Sequence, residues 1–420
     1  MAFDLEHHAP ALRHRNFRLL WFGQAVSMTG SMMQNAAVLW HVSLLAGDSL
    51  KEKASALALV GLVKFAAIAL FALFGGVIAD AIDRRKLMLA TQSAMALFAL
   101  ALAWLSWSGV DAVWPIYALT ALTSAAGVID GPARHALLPS LVPAHLFANA
   151  ITLNTIVFHV AFVGGPALTG PVMQYLGLEW VYLVNALSFG AVIVALAAMR
   201  DLPEPTKHER GEVSLAAAWE GIRFVFRVDL IRSSMLLDFF ATFFASAKAL
   251  LPIYAQDILK VGESGYGWLY SAEAVGALLG ALFLARGAER IQRRGPWLLV
   301  AVGVYGLATI GFGLATSFAG AFVALAVGGI ADSVSIVLRN VIRQEETPDR
   351  LRGRMTSVNM IFFMGGPQLG EYEAGVVAAY FGAATSVISG GVACIAATAW
   401  LAWKTPALVA YRKRARDPSS

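Results

Sequence analysis

Charge is what this sequence has least of. Only 14% of its 420 residues are charged while 58% are hydrophobic, and its mean hydropathy is +0.66. The surface of a water-soluble protein needs more polar groups than that, so lipid is the expected solvent. Cysteine is nearly missing as well. A single residue, Cys394, sits inside an apolar run, which excludes a disulfide framework or thiolate metal site within one chain and suits a buried structural thiol. No phosphate loop of the GxxxxGKS/T type and no HExxH pair occurs, so nucleotide hydrolysis and zinc hydrolysis have no seat here and no cofactor is called for. Gly47-Asp48-Ser49-Leu50 spells a short lipase-like motif. It lies in a brief loop between apolar windows without a hydrolase pattern around it, so the chain does not read as an enzyme.

What is present is a succession of apolar windows. They fall at 19–45, 54–79, 87–107, 113–133, 149–172 and 180–199, then at 231–255, 265–285, 297–316, 320–341, 355–380 and 383–403. Each is long enough for the roughly 20 residues a bilayer core requires. A polar stretch, 200–230, separates the two sets and contains an amphipathic pattern over 214–228, with Leu215, Trp219, Ile222 and Phe226 set against Glu220, Arg223 and Arg227. This predicts a linker helix lying on the membrane surface. The expected organisation is one six-helix bundle over 1–199, the linker over 200–230, a second bundle over 231–404 and a tail over 405–420.

The net charge of +5 comes from short basic clusters between the windows, which reads as membrane topology and excludes a nucleic-acid partner. With both termini in the cytoplasm, 27 of the 32 Lys and Arg residues fall on the cytoplasmic side, three (Lys51, Lys53, Lys260) fall outside, and Lys64 and Lys248 lie within spans. Positive residues concentrate on the cytoplasmic side of membrane proteins, so an even number of spans in the inner membrane is expected. The polar, mixed-charge start of the chain does not resemble a cleavable signal.

The two sets of windows repeat each other. Ala79-Asp80, Ile82 and Arg84-Arg85 recur 209 residues later as Ala288-Glu289, Ile291 and Arg293-Arg294, and Arg134, Pro143 and Asn154 recur 205 residues later as Arg339, Pro348 and Asn359. Two landmarks in the same order predict parallel six-helix repeats. The fold class is therefore an all-α membrane protein of twelve transmembrane helices. Windows three, six, nine and twelve carry no charge in their cores, while the others hold His41, Lys64, Asp130, His159, Asp238, Lys248, Glu273, Asp332, Glu371 and Glu373. Ionisable groups are costly in lipid, so those eight helices are expected to face a wet interior.

The loop GGVIADAIDRRK at 75–86 is similar to the signature loop of the major facilitator superfamily. FRLLWFGQAVSMTG at 17–30, DGPARHALLPSLVP at 130–143 and RLRGRMTSVN at 350–359 resemble its branch of enterobactin-type siderophore exporters and macrolide efflux pumps. The resemblance implies that helices one, four, seven and ten line a cavity, that two meets eleven and five meets eight between the halves, and that the signature loop (Gly76, Asp80, Arg84, Arg85) latches them. Ala81 and Asp83 depart from the usual loop pattern. Gly165, Pro166 and Gly170 on helix five resemble an exporter motif, with Ala161 and Thr169 where the full motif has glycine, and helix four lacks the midspan arginine of related proton-driven exporters.

Spacing singles out further residues. Asp332, Ser335 and Arg339 share one face of helix ten within about 10.5 Å, whereas Glu371 and Glu373 point about 200° apart. Counted by depth, His159 lies level with Glu273, and Lys64 lies within reach of Glu371. Asp332, Glu371, Glu273, Arg339, Lys64 and His159 are thus the candidates for coupling to protons, with static structural pairs as the alternative. The expected function is secondary active export of a small amphiphilic organic molecule, a siderophore or drug-like compound, by a monomer using alternating access. Solute uptake or lipid flipping by the same fold is the second reading, and a membrane enzyme or sensor a distant third.

Overall fold

The computed structural model describes residues 9–200, 220, 223–287, 291–348 and 351–413, with the side chains of 72–81, 286, 354, 357 and 361 left outside that description. Most of the linker expected over 200–230 falls outside it, as do the side chain of Asp80 and the repeat partners Ala288-Glu289.

Among the described residues there is no strand, and twelve helices of 16 residues or more follow in order. They are α1 (Arg15–Leu45), α2 (Leu50–Ala81), α3 (Arg84–Trp107), α4 (Trp114–Leu137), α5 (Phe147–Leu176), α6 (Leu178–Ala198), α7 (Asp229–Phe244), α8 (Gly262–Gly287), α9 (Arg294–Gly313), α10 (Phe318–Glu346), α11 (Arg352–Phe381) and α12 (Ala383–Lys404). Nine spans among the described residues are long and apolar enough to cross a membrane, that of α7 when it is taken on through the following turns to Ile258. The other three, α1, α4 and α11, carry Gln24, Gln34 and His41; Asp130 and Arg134; and Gln368, Glu371 and Glu373, and these polar side chains lower their hydropathy.

Contacts divide the chain into two units. The first comprises Met1–Gly47, Val63–Glu212 and Val261–Ser271, and the second Asp48–Leu62, Val213–Lys260 and Ala272–Ser420. The first turns of α2 therefore belong with the second unit, and those of α8 with the first.

Local chemistry sets the helix ends. Ser49 accepts the amide of Glu52 at 3.2 Å and its hydroxyl donates to the Glu52 carboxylate at 2.7 Å, a serine N-cap that accounts for the lipase-like tetrapeptide as a helix start. Ser49→Ala should lower the unfolding free energy by about 1 kcal/mol and leave transport intact, which a melting curve in detergent and an uptake assay would check. Asp83, the departure from the family loop, caps α3 by accepting the amide of Lys86 at 2.9 Å. Gly177 (φ 110°) and Gly382 (φ 90°) separate α5 from α6 and α11 from α12. Both adopt a backbone that favours glycine, and they extend the 205-residue repeat.

One expected helix is broken. The window 231–255 predicts a continuous span, but α7 stops at Phe244, a 3-10 turn covers Lys248–Leu250, and a π-turn follows at Tyr254–Ile258. Pro252 has no amide to give the carbonyl of Lys248, four residues earlier, and its ring crowds that carbonyl. The break carries Lys248 out of the regular helix.

Two ionisable groups expected in a wet interior are sealed within the first unit. Asp130 accepts from Thr91 (2.8 Å) and Gln92 (3.1 Å) of α3 and pairs with Arg134 (3.3 Å). His41 meets the Tyr182 hydroxyl of α6 at 3.1 Å. In the second unit, residues 405–413 fold back as a strap: Thr405 bonds Ser233 of α7 (2.7 Å), and Tyr411 donates to Glu345 (2.9 Å) and Glu346 (3.2 Å) at the end of α10. Burial and those carboxylates push the Tyr411 hydroxyl well above its usual range, so it remains a donor.

Candidate functional site: a chain of charges in the second unit

Helix α10 presents Arg339 and Arg343 one turn apart, on the same face, and both close on Asp238 of α7. Arg339 Nη2 lies 3.0 Å from Asp238 Oδ1, and Arg343 Nη2 lies 3.2 Å from Oδ2. Arg343 also donates to the Ser234 hydroxyl (3.2 Å), the Ser234 carbonyl (3.0 Å) and the Asn359 side chain of α11. All three charged groups are buried. A buried carboxylate with two guanidiniums is tolerable only when paired and hydrogen-bonded in this way.

The chain continues toward the middle of the unit. Arg339 Nη2 lies 3.5 Å from Asp332 Oδ1. On α8, Glu273 pairs with Lys248 at 2.8 Å, the residue that the break in α7 releases. The Tyr305 hydroxyl of α9 stands 3.5 Å from Glu273 and 3.4 Å from the carbonyl of Ala245. Three carboxylates and three cations thus balance.

Glycine brings their helices together. A β-carbon at Gly276 would lie 1.9 Å from the Ala326 carbonyl oxygen, and one at Gly329 would lie 1.9 Å from the carbonyl oxygen of Glu273. Neither position can carry a side chain without separating α8 from α10.

Of the residues singled out by sequence, the structure joins Asp332 and Arg339 directly and gives Glu273 the partner Lys248. Glu371 is buried on α11 and Lys64 half-buried on α2. They belong to different units, as do His159 and Glu273. His159 meets the ring of Phe158 edge-on. In the loop at 75–86, Arg84 donates to the Ala136 carbonyl (2.8 Å) and Arg85 to the Ala197 carbonyl (3.0 Å), tying α3 to the ends of α4 and α6. Gly76 and Asp80 lie on the stretch of α2 whose side chains are undescribed.

The exporter-like motif forms close crossings in the first unit. A β-carbon at Gly165 would come within 2.6 Å of Met32 on α1, one at Gly170 within 2.5 Å of the Glu263 carbonyl, and one at Gly267 of α8 within 2.6 Å of the Pro166 carbonyl. The same letters recur in the second unit. Gly164-Gly165-Pro166 and Leu168 return 201 residues later as Gly365-Gly366-Pro367 and Leu369. There Gly370 abuts α7, and Gly61 of α2 abuts the Gln368 carbonyl, its β-carbon position 2.6 Å away. Comparing the two halves letter by letter would have exposed this repeat. Asp238 is visible as an intramembrane acid, but its partner Arg343 is not, because the window for helix ten closes at 341 and counts Arg343 as a loop charge.

Residues 6–418 match the family described as transmembrane secretion effectors. The multidrug efflux pump Tap of Mycolicibacterium fortuitum is 28% identical, over 86% of this chain and 88% of its own. The enterobactin exporter EntS of Escherichia coli is 25% identical, over 82% of this chain and 81% of its own. Among solved structures, a bacterial homologue of the lysosomal transporter Spinster matches with TM-score 0.69 at 15% identity, covering 94% of this chain and 96% of that one. A POT family transporter in complex with 5-aminolevulinic acid matches with TM-score 0.73 at 12% identity over the same shares. Identities this low carry the fold alone. The helices, the repeated glycine crossings and a family match over nearly the whole length converge: this chain is a multi-pass membrane transporter of the major facilitator type and belongs to the transmembrane secretion effector family.

Proposed function

We propose that the chain is a secondary active exporter that exchanges a small amphiphilic organic molecule, siderophore or drug-like, for protons by alternating access. The gradient of exposure along the charge chain carries this reading. The side chains of Lys248, Glu273 and Asp332 are 38%, 22% and 24% exposed, whereas Asp238, Arg339 and Arg343 are 6%, 2% and 3% exposed. Accessible carboxylates joined to a fixed, sealed anchor are what a proton-linked transporter needs, since a group that exchanges protons must reach water and still bias the packing of its helices. The names of the efflux-pump and exporter relatives support the outward direction. The decisive measurement is movement of labelled siderophores and lipophilic drugs in proteoliposomes under an imposed pH gradient. Substrate movement without accompanying proton flux would reject antiport.

We further propose that both termini are cytoplasmic and the membrane is the inner one, from the distribution of Lys and Arg. Cysteines replacing Lys51 or Lys260 should react with an impermeant reagent in whole cells, and one replacing Arg293 only after rupture. The native Cys394 is buried and gives no background. The opposite labelling pattern would invert the topology.

A further inference from the structure

At the end of the first unit that carries Arg13, Arg15, Arg18 and Arg85, a recess of about 310 Å³ is lined by His14, Arg15, Asn16, Leu141 and Arg200. Its lining holds two guanidiniums, an imidazole and no acid, while Leu141 supplies an apolar wall. The cations are held there by bonds that span the unit. Asn16 donates to the Arg200 carbonyl (2.6 Å) and accepts the Arg200 amide (3.3 Å), and Arg15 donates to the Ala198 carbonyl (2.9 Å). Residues 184 positions apart are thereby clamped into one wall. Arg15 uses one of its five donors on that carbonyl, and the side chain of Arg200 makes no hydrogen bond within the described residues.

The recess opens where α1 begins and α6 ends; α6 is long and apolar enough to span a membrane, and the end of such a helix is where a chain leaves the hydrocarbon for the headgroups. A basic pocket at that depth attracts anionic headgroups, and planar guanidiniums match phosphate oxygens in pairs. We propose that this recess binds the phosphodiester headgroup of an anionic phospholipid, with Arg15 and Arg200 on the phosphate and Leu141 against the glycerol or the first acyl carbons. The proposal rests on the membrane location of the chain and on neither the substrate nor the coupling ion.

The purified protein in neutral detergent should retain phosphatidylglycerol over phosphatidylcholine by native mass spectrometry. Arg200→Gln, which removes no internal bond among the described residues, should cut that retention by about tenfold, and R15Q/R200Q should abolish the preference. Arg293→Gln, a basic residue in the second unit, should leave retention at the wild-type level. Inorganic phosphate at matched concentration should neither raise the melting temperature nor displace the lipid. Unchanged retention in Arg200→Gln would overturn the proposal, and so would an equal loss in Arg293→Gln. Full displacement by inorganic phosphate would assign the recess to the free anion instead. If R15Q/R200Q proves unstable, Arg200→Gln alone decides, with its size-exclusion profile as the check on folding.

Discussion

Asp238→Asn is expected to destabilise the protein by about 3–5 kcal/mol, the loss associated with removing one partner from a buried ion pair. The carboxylate is shared by Arg339 at 3.0 Å and Arg343 at 3.2 Å. Asparagine keeps the shape and one acceptor but leaves the cluster with a net positive charge in an interior that screens it poorly. A second substitution should repair the balance. Asp238→Asn combined with Arg343→Gln should recover a substantial part of the loss, because the remaining Arg339 still has Asp332. Asp229→Asn is the control: its pair with Arg232 is surface-exposed on both sides, and such pairs contribute at most about 1 kcal/mol. Unfolding temperatures in detergent for the three variants and the wild type would settle the comparison. If Asp238→Asn melts with the wild type, the two arginines are not anchored as described.

How much of this could be read from the sequence depends on the range of the interaction involved. Span positions and their repetition follow from hydropathy and composition, which act within one helix, so all twelve windows have a helix over them. Features set by a single residue were legible in principle. Pro252 disrupts helix seven, Ser49 and Glu52 start α2, and Gly177 and Gly382 end their helices by backbone geometry. The site was partly legible. Asp332 and Arg339 share one helix, and seven residues of separation suffice to pair them. Glu273 was found as an intramembrane acid, but its partner Lys248 depends on a kink and on the tight approach of α8 to α10 at Gly276 and Gly329. Asp238 and Arg343 meet only through the packing of α7 on α10, which depth counting along separate helices does not supply. The same limit explains His41 and Asp130, where Tyr182 of α6 and the Thr91-Gln92 pair of α3 give each group a sealed partner.

The largest functional effect is expected at the accessible end of the charge chain. Glu273→Gln fixes the side chain in the shape and charge of its protonated form, so that no proton can be taken up or released there. If Glu273 carries the coupled proton, gradient-driven transport should fall by at least about tenfold. Equilibrium exchange of labelled for unlabelled substrate, which moves no net proton, should remain largely intact. Asp332→Asn should behave alike, because Asp332 is the accessible carboxylate that touches the anchor, through Arg339 at 3.5 Å. The two functional variants differ from Asp238→Asn in what they leave standing. Neither removes a carboxylate from the Asp238–Arg339–Arg343 anchor, so both should melt closer to wild type than Asp238→Asn does, and a loss of coupling cannot be ascribed to unfolding. Driven transport and exchange would be measured side by side in proteoliposomes over a range of pH. Wild-type driven rates in both Glu273→Gln and Asp332→Asn would make the chain a structural scaffold. Loss of exchange together with driven transport would move these carboxylates from coupling to substrate binding, since a group needed in both modes is one the substrate itself contacts.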